Sequence, residues 1–267
     1  MKINQLRKII LASASPRRKE IMALTGLNFE AAPSCFDEDS IDEKSLTPRQ
    51  YVKKLALEKA RCLLSLNSNA IVIGADTIVV CDGRILGKPK DLKEAVEILK
   101  FCRDKTCDVL TGVAIIDSKE WKKENRRLPR TNRTSDYRTT SKQSRRRYSS
   151  KKQVIIEGHQ TVQCGVAVID ANPSAGGRRT KTFVDVTKVK MRNYDDKAIK
   201  DYIATGKPLQ YAGAFAIQDR DWVESIKGSF FNVVGFPILR VLKELEDFGI
   251  KIPKKDLGKI QKLDIFR

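Results

Sequence analysis

Histidine is almost missing from this chain. His159 is the only one, so a Ser–His or Cys–His catalytic pair would rest entirely on a residue that sits beside Gly158 at the edge of a basic stretch and reads as surface. Long apolar runs are missing too. None approaches the roughly 18 residues of a membrane-spanning helix, and the apolar part of the opening MKINQLRKIILAS is too short for a secretory core. Six cysteines (Cys35, Cys62, Cys81, Cys102, Cys107, Cys164) occur without any CxxC spacing, which argues against a zinc-ribbon or dithiol redox motif and for reduced thiols. With no span, leader or disulfide framework expected, the expected location is cytoplasmic and no membrane partner is expected.

Acidic residues are scarce against basic ones, 33 to 52, for a formal charge of +19. The excess is uneven. Ser118–Glu157 holds 14 Lys and Arg against 4 Asp and Glu, a net of +10, which leaves +9 for everything else. This stretch has few aliphatics and is expected to be disordered or an extended surface loop. Trp121, Tyr137 and Tyr148 interleave with its charges, a pattern compatible with weak nucleic-acid contact through residues 118–157. A solvated basic insert without a dedicated partner fits the same composition better.

Of what is present, Ile71–Asp91 organises the rest. Ile71-Val72-Ile73 and Ile78-Val79-Val80 are strand-forming runs around Gly74-Ala75-Asp76-Thr77. A glycine inside a strand marks a bulge or a close backbone approach, and the neighbouring carboxylate is costly to bury unless something pairs with it. Asp82-Gly83 predicts a tight turn, and Lys88 follows the second arm. Such a hairpin suits an anion-plus-metal site, although a solvated strand end with ordinary loop charges has a similar local pattern.

Upstream, Ile9-Ile10-Leu11 predicts a strand leading to a helix with Ser15 as N-cap, Pro16 at the first helical position and Gly26 as stop. Ser13 precedes this helix start, and Arg17 and Arg18 occupy its first turn, where cations oppose the helix dipole unless an anion arrives. The acidic stretch around Glu38 offers carboxylates for a hard cation. Thr47-Pro48-Arg49-Gln50 is a capping-box start to a helix expected to reach about Leu66, with Lys59 on the same stripe as Val52, Leu55 and Leu63. A lysine there snorkels to the rim or points into a site.

Downstream, Asp91 starts another helix, and Val109–Asp117 (VLTGVAIID) and Val162–Asp170 (VQCGVAVID) are two similar candidate strands. Of these the first, which keeps Thr111 before Gly112, is favoured for the sheet. Ala171–Arg179 reads as a turn-rich loop, Thr182–Met191 as a half-buried strand, and Asp195-Asp196 as the cap of a short helix ended by Gly206. Ile238–Phe248 predicts a last amphipathic helix. The expected organisation is a main unit of residues 1–117 and 164–250, an insertion at 118–163 and a basic tail at 251–267.

Eight stretches, in order, carry a resemblance: LASASPRRKEIM, PSCFDEDS, LALEKA, VIGADTIV, GKPKD, LTGVAI, YIATGKPLQYAGAFAIQ and NVVGFPI. Together they resemble the Maf family, the septum-formation-inhibitor-like nucleotide pyrophosphatases. The resemblance implies an α/β, two-lobed Maf/ITPase-like fold with a bent mixed sheet and a cleft between the lobes, here with a long basic surface insertion. It implies cleavage of nucleoside triphosphates to monophosphate and pyrophosphate by metal-assisted water attack on the α-phosphorus, with Mg²⁺ or Mn²⁺, in a homodimer.

Carried over to this chain, Asp76 would be metal ligand or base, Glu38 would share that role, and Lys59 and Lys88 would face the phosphates. Ser13, Arg17 and Arg18 would hold phosphate oxygens. A preference for dTTP and UTP goes in the family with an arginine in the SxSPRR loop (Arg17 or Arg18 here), a threonine after the GAD aspartate (Thr77) and a glutamine in the AIQ segment (Gln218). The chain departs from the pattern at Cys107, where members often carry histidine, at Tyr211, which replaces a lysine, and at Asp219-Arg220-Asp221, where glycine is expected. The rival functional readings are a non-enzymatic scaffold that binds nucleic acid or anionic partners through the basic insertion, and a purine triphosphatase of related fold.

Overall fold

Strand β1 (Lys8–Ala12) and helix α1 (Pro16–Ala23) form where the apolar triplet and the Ser15-Pro16 start predict them, with the Ser15 side chain accepting from the Arg18 N–H. The computed structural model describes residues 7–67, 69–121, 153–154, 162–163, 180–219 and 221–264. Most of the 118–163 insertion, His159, the second GVA copy beyond Gln163 and the predicted Ala171–Arg179 loop lie outside those residues.

After β2 (Glu30–Ala32) comes α2 (Pro48–Arg61), whose capping box is complete: Thr47 Oγ1 accepts from the Gln50 N–H, and Gln50 Oε1 accepts from the Thr47 N–H. It ends at Arg61 rather than near Leu66; the chain continues in turns that let Leu63 and Leu64 both bury. β3 (Ala70–Cys81) runs without interruption, and Asp82-Gly83, both at positive φ (48° and 76°), turn it into β4 (Arg84–Leu86). Then follow α3 (Leu92–Cys102), capped by Asp91, and β5 (Thr106–Asp117). A short ladder joins β6 (Gln153–Val154) to β7 (Val162–Gln163). β8 (Thr180–Met191), α4 (Asp196–Ile203), β9 (Val223–Lys227), α5 (Phe230–Val234), α6 (Ile238–Asp247) and α7 (Lys254–Leu263) complete the order.

The architecture is α/β, on a mixed seven-stranded sheet in the order β2-β1-β3-β5-β8-β9, with β4 paired to β3. β2, β1 and β3 are parallel, and β3, β5, β8 and β9 alternate in direction. The first GVA copy is therefore a central strand, as its Thr111-Gly112 pair suggested. Alternation along β3 divides the core. Ile71, Ile73 and Ala75 pack with α1, α5, α6 and α7, whereas Val72 packs with Ala56, Ala60, Leu63 and Leu64 on the α2 side. A third cluster, around α3 and α4, covers the far end of β3 and β5.

Glycine decides how near α2 can lie. A Cβ on Gly74 would stand 2.2 Å from the Ala56 carbonyl oxygen, and one on Gly112 would stand 2.3 Å from the Val52 carbonyl oxygen. Gly74 thus marks a close approach and not a bulge. The segment read as a basic tail contains α7, whose Ile260 is buried in the main core. Asp264 just beyond it accepts from Ser229 Oγ (2.7 Å) and from the Phe231 N–H (2.8 Å) at the start of α5. No helix among the described residues is long and apolar enough to cross a membrane.

Candidate active site

β1 stops at Ala12, opposite Gly74 of its parallel neighbour, while β3 runs on to Cys81. Between Gly74, the last partner of β1, and Val79, the first partner of β4, that edge of β3 is therefore uncovered, at the carboxyl end of a parallel pair, where open α/β sheets bind ligands. A cavity of about 350 Å³ opens there, within the usual range for small-molecule sites. Asp76, Glu38, Lys59, Lys88, Arg17, Arg18, Thr77 and Gln218 all line it. Eight of the nine residues singled out from the sequence are thus brought to one wall or another. Ser13 is buried behind Arg18, and Ser15 takes the lining position.

The centre is a three-residue charge cluster. Lys59 Nζ donates to Asp76 Oδ1 and lies 2.8 Å from Glu38 Oε1. Lys59 and Asp76 are each only 8% exposed, so neither charge could persist there unpaired. Lys59 therefore does not snorkel; the close packing of α2 on Gly74 and Gly112 carries it inward to the carboxylate on the adjacent strand. Burial pushes the Asp76 carboxyl above the ordinary carboxylate range, with Lys59 and Arg18 pulling in the opposite direction.

Side-chain alternation sends Thr77 to the opposite face of β3, into a second network. The half-buried Arg18 guanidinium donates to the Gly235 carbonyl (2.8 Å), to Thr77 Oγ1 (3.0 Å) and to Ser13 Oγ (3.4 Å). Thr77 Oγ1 meets Thr111 Oγ1 at 3.0 Å, directly across the ladder. Thr111 Oγ1 donates to the Asn232 carbonyl (3.2 Å), and the fully buried Asn232 amide donates to Thr187 Oγ1 (2.9 Å) and to the Val109 carbonyl (3.0 Å). Burial lowers the Arg18 pKa, opposed mainly by Asp76. These bonds lock Arg18 in place. Arg17, the other candidate, lies over the Tyr211 ring, 4.5 Å from its centroid, on the cavity wall. Tyr211, which stands where the family pattern has lysine, thus holds a neighbouring cation by cation–π attraction.

Lys88 and Gln218 are exposed at the rim, and Lys88 forms no ion pair with a described residue. Asp219, where glycine was expected, accepts from Tyr202 Oη at 3.0 Å and Lys207 Nζ at 3.1 Å. Glu43, from the acidic stretch around Glu38, also lines the cavity, whereas Tyr51 and Asn232 were not anticipated. Tyr51, Leu55 and Lys59 recur every fourth residue along α2 and line the same cavity, a spacing visible in the sequence. Asn232 was visible as a polar residue inside the apolar FFNVVG run.

A buried carboxylate, a second carboxylate and a lysine between them, with arginines and an exposed lysine on the surrounding walls, make this cavity of an α/β fold the candidate site for an anionic ligand. The comparisons narrow the class. The family profile described as "Maf-like protein" matches residues 8–157 and 155–248. The dTTP/UTP pyrophosphatase of Dictyoglomus turgidum is 33% identical over 248 residues, covering 92% of this chain and 98% of the relative. The proteins of the same name from Acetivibrio thermocellus and Bacillus pumilus are each 34% identical, over 257 and 247 residues, covering 93% and 92% of this chain and 98% of each relative. The chain belongs to the Maf family.

Proposed function

We propose that this chain hydrolyses nucleoside triphosphates to monophosphate and pyrophosphate, with dTTP and UTP preferred. The observation that carries the reading is the Asp76–Lys59–Glu38 cluster on the wall of a cavity that also presents Arg17, Arg18 and Lys88. Relatives named for dTTP/UTP pyrophosphatase activity support it.

Asp76 takes the proton of the attacking water, for which a raised pKa suits a base working near neutrality. Lys59 holds Asp76 and Glu38 in register, and with Arg17 and Lys88 it balances the charge of the phosphate chain. Water oxygen bonds to the α-phosphorus as the bond to the bridging oxygen breaks, and pyrophosphate leaves. Lys59 engages one oxygen of each carboxylate, and an all-oxygen donor set of this kind fits a hard divalent ion completed by water and phosphate. Asp76 and Glu38 would hold Mg²⁺ or Mn²⁺, which would supply charge neutralisation at the phosphates when bound. A homodimer and a cytoplasmic setting belong to the same reading. The scaffold alternative is not favoured, because the acid–lysine set is complete.

Base choice is tested by a pyrophosphate-release panel of dTTP, UTP, dATP, GTP and modified triphosphates. A glutamine amide can donate to and accept from a uracil or thymine edge, so Gln218→Ala should lower kcat/KM for dTTP by about 5- to 150-fold, a lost hydrogen bond's worth. Faster turnover of purine triphosphates than of dTTP and UTP would overturn the preference and leave the pyrophosphatase reading standing.

The raised Asp76 pKa also sets a pH dependence. The base works ionised, so kcat/KM should fall on the acid side, with burial raising that limb and a divalent ion held by Asp76 lowering it. Stability should move the other way. The native state holds this proton more tightly than the unfolded chain does, so this group favours folding as pH drops through the same window. An acid limb that Asp76→Asn leaves unmoved would remove Asp76 as the base.

A further inference from the structure

Cys81 ends β3, Cys102 ends α3 and Cys107 is the second residue of β5. Cys81 and Cys107 are direct partners across the antiparallel ladder. All three are free and buried, and their sulfur atoms lie within 4.8 Å of one another. We propose that these three thiols form a site for a thiophilic divalent ion of the zinc and cadmium class, distinct from the oxygen cluster at Asp76 and Glu38.

Buried cysteines commonly serve as small apolar side chains, and a trio from three separate elements could be that alone. Three features take the reading further. The first is spacing. Metal–thiolate bonds of about 2.3 Å bring sulfurs to roughly 4 Å of one another, so a small side-chain adjustment closes the present triangle on an ion. The second is access, since Cys102 and Cys107 both line the cavity. The ion thus has an entry path, and a fourth position is left for water, as in sites with three protein ligands. The third is charge. A divalent ion with three thiolates carries a net −1, and Lys105, in the short segment between Cys102 and Cys107, brings an ammonium to this end of the sheet, where it also pairs with Asp82 at 2.8 Å and lies over the Phe101 ring.

Softness separates the two sites. Sulfur ligands select zinc-like ions, whereas carboxylates suit Mg²⁺ and Mn²⁺. Asp76 and Cys81 are five residues apart on one strand, about 16 Å at the usual rise. A buried cysteine away from an activating cation is a thiol near neutral pH. Binding then replaces three S–H bonds by three metal–sulfur bonds. M²⁺, three thiols and one water give a [M(S-Cys)₃(OH₂)]⁻ centre and three protons released to buffer, so affinity rises with pH.

The test uses the full chain, reduced and stripped of metal, titrated with Cd²⁺ while thiolate-to-cadmium charge-transfer absorption and proton release are followed. The expected result is saturation of the tight phase at one equivalent, about three protons released, displacement by Zn²⁺, and a melting temperature raised by the ion. Cys81→Ala, Cys102→Ala and Cys107→Ala should each weaken binding by more than about tenfold, the loss that removing even an outer partner produces. Cys62→Ala and Cys164→Ala should leave it unchanged. Any trio variant that fails to fold is replaced by its serine counterpart, with folding checked by circular dichroism. No tight charge-transfer phase in the wild type, or one that survives in the folded Cys102 and Cys107 variants, overturns the site. So does one abolished by Cys62→Ala.

Discussion

Replacing Asp76 with asparagine should lower kcat by about 10²–10⁴-fold, the usual contribution of a positioned base, with a much smaller change in KM. The amide keeps the volume of the carboxylate but cannot take a proton. It also turns an acceptor of the Lys59 ammonium into a group with two donors. Lys59 keeps Glu38 at 2.8 Å, so the lysine is not left without a counter-charge, and removal of a buried carboxylate's desolvation cost offsets part of the lost pairing. The melting temperature should therefore move by only a few degrees. Pyrophosphate release measured beside a thermal melt separates the two effects. An Asp76→Asn enzyme within tenfold of wild type would remove Asp76 from the chemistry. Excess EDTA asks a different question of the wild type: activity that survives it counts against the divalent ion and not against Asp76 as base.

The local devices were legible because each is written in a few adjacent residues. Ser15 with Pro16, Thr47 with Gln50, Asp91 and Asp195 all cap the helices they precede, since a cap needs only a side chain two or three positions from an orphan N–H. Asp82-Gly83 specifies its turn for a similar reason. Lys59 was suspect because it interrupts an apolar stripe. What could not be read depends on register between distant strands. Thr77 meets Thr111, and Cys81 meets Cys107, only because β3 and β5 pair as they do, and a shift of one residue would send each side chain to the other face. Arg17 on Tyr211 joins residues that no local rule connects. α7 was hidden by composition: its lysines suggest a solvated tail, yet Leu257 and Ile260, three apart, pack on the main core.

The α2–sheet contact ties stability to the site, and Gly74→Ala should expose that link through a large loss of stability. The new Cβ would lie 2.2 Å from the Ala56 carbonyl oxygen and 2.7 Å from the Ala60 backbone nitrogen. Both are backbone atoms of a helix, which no rotamer change can move aside. Either α2 lifts or β3 buckles, at a cost of about 3 kcal/mol or more, or roughly 6–12 °C in melting temperature for a chain of this size. Lifting α2 also draws Lys59 from Asp76, so kcat should fall at temperatures where the variant is still folded. Gly258→Ala supplies the opposite sign. Gly258 lies in α7, and an added Cβ would meet no atom within 4 Å, so replacing this helical glycine should stabilise by up to about 1 kcal/mol. Equal melting temperatures for Gly74→Ala and wild type would mean that α2 does not rest on the strand through this glycine, and the inward placement of Lys59 would then need another cause.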